Sequence, residues 1–277
     1  MECQATGGLP IYGIFLITVG GIIAFTTLVL EFFLLPKRRK LNKELKTELL
    51  THAVVTGGSS GIGLAVAQEL INQNCKHVTL IARNEKKLGE ALEKLQQHAK
   101  SVESSTSIAI HSVDVSDTEK ITKVASDICT SGKCPTPTMI FNVAGTSSSA
   151  AFVDTDYKEF DRLMNINYLG SVFATRAFLP YMMPKTTTKE NLPRAIMFTS
   201  SQAGQLGIYG FTAYSASKYA LRGLAEALQM ELGRVNISVQ VAYPPDTDTP
   251  GFEEEQIGKP EETKLISETS GLFSPER

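Results

Sequence analysis

From residue 51 onward, short apolar runs alternate with longer amphipathic stretches. The runs are HAVVT (52–56), HVTLIA (77–82), SIAIHSV (107–113), TMIFNVA (138–144), AIMFTS (195–200) and SVQVAYP (238–244). The stretches between them, such as EKKLGEALEKLQQHA (85–99), have helical spacing. Continuous apolar runs are typical of parallel strands covered on both faces. The pattern therefore predicts an α/β fold, a Rossmann-type doubly wound parallel sheet with helices on both faces.

The chain begins with a different pattern. Residues 9–30 carry no charge, and after Glu31 the apolar run continues to residue 35. Such a run can cross a hydrocarbon core about 30 Å thick at about 1.5 Å per residue. Residues 36–40 read PKRRK, whereas residues 1–8 contain no Lys or Arg. This charge bias predicts a non-cytosolic N-terminus at 1–8, a transmembrane anchor at 9–35 and a basic cytosolic linker at 36–50. The alternative is a cleaved signal peptide, which normally has a basic start and a shorter apolar core.

Composition narrows the function of the remaining chain. The formal net charge is -2 over 277 residues, which gives no basic face for a nucleic-acid partner. The four cysteines, Cys3, Cys75, Cys129 and Cys134, lack metal-ligand spacing. We therefore expect no metal site, and free thiols in a reducing compartment. We assign residues 51–252 to one domain, which the polar residues 253–277 follow.

A glycine-rich turn follows the first predicted strand. It reads TGGSSGIG (56–63) and precedes a predicted helix. A strand, a glycine turn and a helix N-terminus together form an anion site, because backbone N–H groups and the helix dipole face a pyrophosphate. The candidate cofactor-binding residues here are Gly57, Ser59, Ser60, Gly61, Ile62 and Gly63. The alternative is an ordinary turn, which glycine clusters often mark.

Residues that follow the second and third strands indicate which dinucleotide binds. The second strand ends in Arg83 and Asn84, without the carboxylate that would bind the ribose 2′-hydroxyl of NAD. A guanidinium suits a 2′-phosphate, so we predict NADPH (NADP) as the cofactor, the alternative being a solvated surface arginine. Asp114, next to Val115, is placed to reach the adenine amino group. Its alternative role is a helix N-cap, for which Asp117 is better placed.

Further landmarks follow in order: NVAG (142–145), Asn167 within MNINYLG, Ser201 within TSSQAG, and then Tyr214 and Lys218. Ser201 lies 13 residues before Tyr214, and Lys218 lies four residues after it. With TGGSSGIG and Asp114, these landmarks resemble the short-chain dehydrogenase/reductase family over residues 51–252. Val143 departs from the asparagine or alanine that is frequent in the family. The resemblance implies further cofactor contacts from Asn142, Ala144, Gly145, Tyr214, Lys218, Pro244, Thr247 and Thr249.

The resemblance also implies catalytic roles. Tyr214 would be the proton donor for a carbonyl reduction. A phenol has a pKa of about 10, and Lys218, one helical turn away, is expected to lower it. The resemblance places Lys218 on the nicotinamide ribose, Ser201 on the substrate oxygen and Asn167 on a water linked to Lys218. Ser201 could instead cap a turn at a strand end, and Asn167 could be a buried structural amide.

A narrower resemblance concerns the substrate. The stretches SSQAGQLGIYGFTAYSASKYALRGLAEALQMEL and VAYPPDTDTPGF resemble the members of the family that reduce a long-chain sphingoid-base ketone in sphingolipid synthesis. Those members are anchored in the endoplasmic reticulum membrane with the catalytic domain facing the cytosol. Two alternatives stay open. The chain could reduce another lipid carbonyl, a retinoid or a steroid, or it could be a truncated form that binds cofactor or a partner without catalysis.

The family resemblance also sets expectations about the C-terminal end and the assembly. The resemblance implies that residues 253–277 form a partial substrate lid and tail. The family's core has a seventh strand after the lid, and no such run precedes Arg277. We therefore expect the seventh strand to be missing and the sixth strand to form a sheet edge. The helices expected around residues 157–182 and 214–235 resemble the family's dimer helices, which implies a homodimer.

Overall fold

The computed structural model describes residues 43–184 and 192–276. The chain divides into two compact units, 1–42 and 43–277, and only the second contains described residues. The predicted N-terminus (1–8), the predicted anchor (9–35) and the linker up to residue 42 therefore lie outside the described residues. Among the helices that the structure describes, none is both long enough and apolar enough to cross a membrane.

The described unit is built on a sheet of six parallel strands. They are β1 His52–Thr56, β2 His77–Ala82, β3 Ser107–Ser112, β4 Met139–Asn142, β5 Arg194–Thr199 and β6 Ile237–Ala242. Their order is β3-β2-β1-β4-β5-β6, with parallel pairing at every step. This order reverses direction between β1 and β4, which opens a crevice at the carboxyl ends of the strands. The predicted Rossmann-type fold is confirmed, and β6 is an edge of the described sheet.

Nine α-helices accompany the sheet in the described residues. They are α1 Lys43–Leu49, α2 Gly61–Asn72, α3 Glu85–Ser101, α4 Thr118–Thr130, α5 Tyr157–Leu163, α6 Gly170–Met182, α7 Thr212–Leu232, α8 Pro250–Glu255 and α9 Glu261–Ser270. Two apolar cores form on opposite faces of the sheet. One contains Leu88 and Leu95 of α3, and the other contains Phe178 of α6 and Leu221 of α7. Both faces are therefore covered, as continuous apolar strands require.

The fourth strand is shorter than its apolar run. The run extends over 138–144, but β4 ends at Asn142. The Thr56 side-chain oxygen at the end of β1 accepts hydrogen bonds from the N–H groups of Val143 (3.1 Å) and Ala144 (3.2 Å). These bonds replace sheet pairing, so the chain after Asn142 leaves the sheet and follows the crevice.

The tail is more regular than its sequence indicates. Residues 253–277 show no strong period, yet the tail contains α9 and the end of α8. The Thr249 oxygen caps α8 at the Phe252 N–H (3.1 Å), and Pro250 occupies its first turn. The Thr263 hydroxyl of α9 donates to the Tyr209 carbonyl (2.9 Å). Tertiary contacts of this kind are not visible as a pattern of apolar positions.

Candidate active site

A cavity of about 440 Å³ lies at the carboxyl ends of the strands, a size typical of small-molecule sites. Its wall combines the β1–α2 turn, the ends of β2 and β3, the segment after β4, the start of α7 and the segment after β6. Of the predicted site residues, the wall contains Gly57, Ser59, Ser60, Gly61, Ile62, Gly63, Arg83, Asp114, Val115, Ala144, Gly145, Ser201, Tyr214, Lys218, Pro244, Thr247 and Thr249. The fold therefore brings together residues that are up to about 190 positions apart in the chain.

The glycines of the β1–α2 turn are required by close backbone approach. Gly57 and Gly61 have φ values of 70° and 51°, in the left-handed region that glycine adopts without strain. A Cβ at Gly63 would lie 2.3 Å from the Gly57 carbonyl oxygen, and one at Gly57 would lie 2.8 Å from the Ala144 backbone. No side chain fits at either position. The turn is thus a backbone cradle at the start of α2, which fits the pyrophosphate of a dinucleotide.

Two cations flank the cavity at the end of β2. Arg83 and Lys87 both line the wall, and no carboxylate belongs to this strand end. The Arg83 guanidinium is 3.8 Å from a carboxylate oxygen of Asp114, and both side chains are substantially exposed, so this pair is weak. Asn84 caps α3 by accepting from the Lys87 N–H (2.9 Å). Sequence reasoning missed Lys87, although its position in the first turn of the helix after the Asn84 cap could have indicated it.

Two roles were considered for Asp114, a cofactor contact and a helix N-cap, and the cap belongs to Asp117. Asp117 caps α4 by accepting from the Lys120 N–H (3.1 Å). Asp114 lines the cavity, and its Oδ1 accepts from the N–H (2.9 Å) and the hydroxyl (2.7 Å) of Ser116. Asp114 is therefore fixed at the wall rather than used as a helix cap.

Asn142 and Asn167 lie behind the wall and do not line the cavity. Asn142 is buried, and its amide nitrogen donates to the Thr175 hydroxyl of α6 (3.0 Å). This bond ties β4 to the helix behind it. The next three residues, Val143 to Gly145, line the cavity instead.

Asn167 lies in a π-helical turn, Met164–Leu169, between α5 and α6. Its amide oxygen accepts from the Thr146 N–H (2.8 Å), and its amide nitrogen donates to the Thr146 carbonyl and the Ser217 hydroxyl (both 2.9 Å). A Cβ at Gly145 would lie 3.1 Å from the Asn167 amide oxygen and 3.3 Å from the Lys218 ammonium. The amide therefore fixes the segment after β4 and lies beside Lys218.

Ser201 and Tyr214 both line the cavity. The Ser201 side chain acts on the phenol and lowers the pKa of Tyr214, although Ser201 follows β5 and Tyr214 lies in the first turn of α7. The Ser201 hydroxyl also accepts from the Ala203 N–H (3.2 Å). The hydroxyl therefore caps a turn, as the alternative proposed, while its contact with a substrate oxygen stays a prediction. The pair presents two hydroxyls to whatever oxygen enters the cavity.

Lys218 is buried on the same face of α7 as Tyr214. Its ammonium lies 5.6 Å from the centre of the Tyr214 ring and donates to the Thr199 carbonyl (2.9 Å). Burial lowers the pKa of Lys218 to about 8, because an apolar environment disfavours the charged form.

The same environment reverses the expected shift of Tyr214. Burial raises the pKa of Tyr214, the Ser201 hydrogen bond partly offsets this, and the negative charges of Glu255 and Asp246 raise it further. The net shift is therefore opposite to the one expected from the charge of Lys218, because burial disfavours the phenolate.

The segment after β6 closes over the cradle. The Thr249 methyl group would be 2.9 Å from a Cβ at Gly61, so this threonine packs directly on the turn. Thr247 donates to the Pro245 carbonyl (2.8 Å) and forms a single β-bridge with Phe273. The predicted contacts of Thr247 and Thr249 thus lie at the wall with their hydroxyls engaged locally.

Sequence reasoning also missed a buried ion pair beside the cavity. Lys259 bonds Glu255 at 3.0 Å, and the two side chains are 0% and 10% exposed. The Lys259 ammonium lies over the rings of Phe252 (5.1 Å) and Phe211 (5.6 Å). The i,i+4 spacing was visible in the sequence, but such pairs are usually solvated, so only the packing of the tail shows that this one is buried.

Comparison with known proteins agrees with this geometry. Residues 51–259 match the family described as short chain dehydrogenase. The chain belongs to this family, which makes it an NAD(P)-dependent oxidoreductase. Among solved structures, a short-chain dehydrogenase from Streptomyces avermitilis shares the fold with a TM-score of 0.65 and 28% identity, over 82% of this chain and 79% of that one. An alcohol dehydrogenase from Thermococcus sibiricus complexed with 5-hydroxy-NADP has the same fold (TM-score 0.66, 22% identity, 82% and 86% covered).

More similar curated relatives are known. The 3-dehydrosphinganine reductase of Danio rerio is 46% identical over 268 residues, which cover 95% of this chain and 74% of the relative. The 3-ketodihydrosphingosine reductase of Mus musculus is 49% identical over 230 residues, covering 82% of this chain and 65% of the relative. The matched region is thus about two thirds to three quarters of the length of these relatives.

Proposed function

We propose that this chain uses NADPH to reduce the 3-keto group of 3-ketodihydrosphingosine, which yields sphinganine. The carrying observation is the Ser201–Tyr214 hydroxyl pair, which opens into a cavity whose other end is a dinucleotide cradle. The names of the relatives from Danio rerio and Mus musculus support the substrate.

The residues divide the work of binding the cofactor. The backbone of the Gly57–Gly63 turn would hold the pyrophosphate, Asp114 the adenine, and Lys218 the nicotinamide ribose. When bound, NADPH supplies the hydride.

The hydroxyl pair supplies what the reacting oxygen needs. A ketone that accepts a hydride develops negative charge on its oxygen, and donors placed in advance stabilise that charge. The Ser201 hydroxyl donates a hydrogen bond to this oxygen, and the Tyr214 phenol donates its proton. A phenol with a raised pKa holds its proton through the resting state. Lys218 lies close enough to favour the phenolate once the proton has left.

The preference for NADPH rests on Arg83, with Lys87 beside it at the same end of the cavity. We expect Arg83→Asp to shift the ratio of kcat/KM for NADPH over NADH by about tenfold or more toward NADH, because a carboxylate repels a 2′-phosphate and accepts from a 2′-hydroxyl. The matched control is Lys86→Asp, which makes the same charge change at an exposed residue outside the cavity wall. An unchanged ratio in Arg83→Asp would remove Arg83 from the 2′-phosphate site.

A substrate panel tests the proposed reaction. Microsomes expressing this chain are assayed with NADPH and 3-ketosphinganine, retinal or a ketosteroid, and product formation is followed by mass spectrometry. We expect sphinganine as the main product. Faster turnover of retinal or the steroid would assign the chain to another lipid carbonyl. If nicotinamide fluorescence shows NADPH binding but no ketone is reduced, the chain is a non-catalytic binding form.

We further propose that residues 9–35 anchor the chain in the endoplasmic reticulum membrane with the domain in the cytosol. The uncharged run and the basic residues after it support this orientation. A glycosylation acceptor introduced within residues 1–8 should be glycosylated in microsomes, and the domain should be digested by added protease. Protection of the domain from protease would contradict the orientation.

We also propose a homodimer through α5 and α7. Tyr157 of α5 and Met230 of α7 are 90% and 83% exposed, an unusual state for large side chains that favours a contact surface. Light scattering should give twice the protomer mass for the wild type and a lower mass for Met230→Lys. A monomeric wild type at micromolar concentration would contradict the proposal.

A further inference from the structure

Charged side chains line both ends of the cavity. Arg83 and Lys87 line the end that holds the cradle, together with Asp114, whereas three carboxylates, Asp246, Glu254 and Glu255, accompany Lys218 at the end that contains Tyr214. The first two suit a phosphate. The acidic end has no function in hydride transfer to a neutral ketone, and a carboxylate beside the phenol raises the pKa of Tyr214. The acidic end therefore calls for a separate explanation.

The substrate under the proposed function supplies one. In 3-ketodihydrosphingosine the carbon next to the ketone carries an amino group, which is an ammonium when protonated. Because the ketone oxygen must reach Tyr214 and Ser201, the ammonium must lie within a few ångströms of the same hydroxyls. A carboxylate near Tyr214 is then in reach of the ammonium, and such charge-assisted hydrogen bonds are among the strongest that a site can make.

Of the three carboxylates, Glu255 is the one held in place. It is the last residue of α8, and its Oε1 accepts from the Lys259 ammonium at 3.0 Å. Lys259 does not belong to the cavity wall, whereas Glu255 does. The lysine therefore holds the carboxylate from behind, between the rings of Phe211 and Phe252.

The position of Glu255 relative to the phenol follows from its neighbours. Phe211, which contacts Lys259, also packs on Tyr214, with ring centres 5.4 Å apart. Glu255 is the larger of the two carboxylate influences that raise the pKa of Tyr214. Glu254 is instead exposed, and its charge acts on Arg162 of α5. Glu255 is thus the carboxylate best placed beside the reacting oxygen.

Resting on the proposed function, we propose that Glu255 binds the ammonium of the substrate and so selects 2-amino ketones over simple ketones. Lys259 is a positioning residue that acts through Glu255.

The test compares two substrates in three proteins. The substrates are 3-ketosphinganine and the analogue of equal chain length without the amino group. We expect Glu255→Gln to lower kcat/KM for the amino ketone about 10- to 100-fold and to leave the analogue within about threefold of the wild type. The matched control is Glu253→Gln, an exposed residue of the same helix that does not line the cavity and should change neither substrate.

Outcomes separate this inference from the proposed function. If wild-type protein does not reduce the amino ketone, the proposed function fails. If it does, and Glu255→Gln lowers both substrates equally or neither, the ammonium assignment is overturned. Lys259→Met should raise KM for the amino ketone more than it lowers kcat. Lys259→Arg should restore the wild-type KM. A loss shared by both substrates would make Lys259 only structural.

A measurement on the wild type covers the case in which the Glu255 variant does not fold. A long-chain alkylamine should inhibit the reduction at least tenfold more strongly than the alcohol of equal length, because only the amine carries an ammonium for Glu255. Equal inhibition by the two would also overturn the assignment.

Discussion

The two ends of the cavity differ in whether backbone or side chains form the wall. The end beneath β1 and β2 is mainly backbone: Gly57, Gly61 and Gly63 leave no space for side chains, and Arg83, Lys87 and Asp114 add charge. The end beneath β5 and β6 is made of side chains, with Ser201, Tyr214, Lys218 and Glu255 all at the wall. Under the proposed function, the first end binds a group common to all dinucleotides, and the second carries out the reaction.

The difference has a thermodynamic side. The backbone end needs only glycine, whose cost is conformational entropy. The side-chain end contains a buried lysine whose pKa is lowered to about 8 and a half-buried tyrosine whose pKa is raised. These groups are held in an environment that disfavours their charged forms. We therefore expect substitutions at the backbone end to weaken cofactor binding. Substitutions at the side-chain end should lower activity and raise stability.

The largest expected effect concerns the side-chain end. Tyr214→Phe removes one hydroxyl, and we expect the reductase rate to fall about 10²- to 10⁴-fold, the usual contribution of a general acid. The dissociation constant of NADPH, measured by nicotinamide fluorescence, should change little. The matched control is Tyr219→Phe, a partly exposed tyrosine on α7 outside the cavity wall. A Tyr214→Phe protein with a near wild-type rate would exclude Tyr214 as the proton donor.

The next effect concerns the backbone end. Gly63→Ala would place a Cβ 2.3 Å from the Gly57 oxygen, so the turn must deform, and we expect NADPH affinity to fall about 100-fold or more. The control is Gly223→Ala on an exposed face of α7, where a Cβ meets nothing within 4 Å, and which should gain about 0.5–1 kcal/mol of stability. Unchanged affinity in Gly63→Ala would contradict the cradle. Calorimetry of both variants separates lost binding from lost folding.

The smallest expected effect is on stability. Lys218→Met removes an ammonium whose folded pKa of about 8 is below the unfolded value of about 10.5. At pH 7 both states of the wild type are protonated, and burial penalises the folded one. We expect the variant to gain about 1–3 kcal/mol in the free energy of unfolding at pH 7 while it loses turnover.

The sign of the pH dependence follows. As pH rises above 8, folded Lys218 loses its proton before the unfolded chain does, so the penalty decreases and the advantage of the variant shrinks. Urea unfolding of both proteins at pH 7 and pH 9.5 measures this difference. An advantage that grows with pH would show that burial does not destabilise the Lys218 ammonium.

Much of the molecule could be predicted because its signals are local. Six apolar runs predicted the strands to within two residues, and TGGSSGIG predicted the cradle by its glycines and its place between the first strand and a helix. Lys87 and the Glu255–Lys259 pair were not predicted. Their roles depend on which neighbours they meet across the fold, and a charged residue on a helix is usually solvated. The regular tail was missed for the same reason, since Thr263 holds α9 by a contact with Tyr209.

The sequence by itself determined the sheet, the cradle and the spacing of Ser201, Tyr214 and Lys218. Hydrophobic periodicity, glycine spacing and helical spacing are all set by residues that lie near one another in the chain. Only the tertiary structure decided the electrostatics. It showed that burial raises the pKa of Tyr214 and lowers that of Lys218. It also placed Glu255 beside the phenol, with Lys259 behind it. Burial and charge at a site are sums over elements far apart in the chain, so they exist only once the chain has folded.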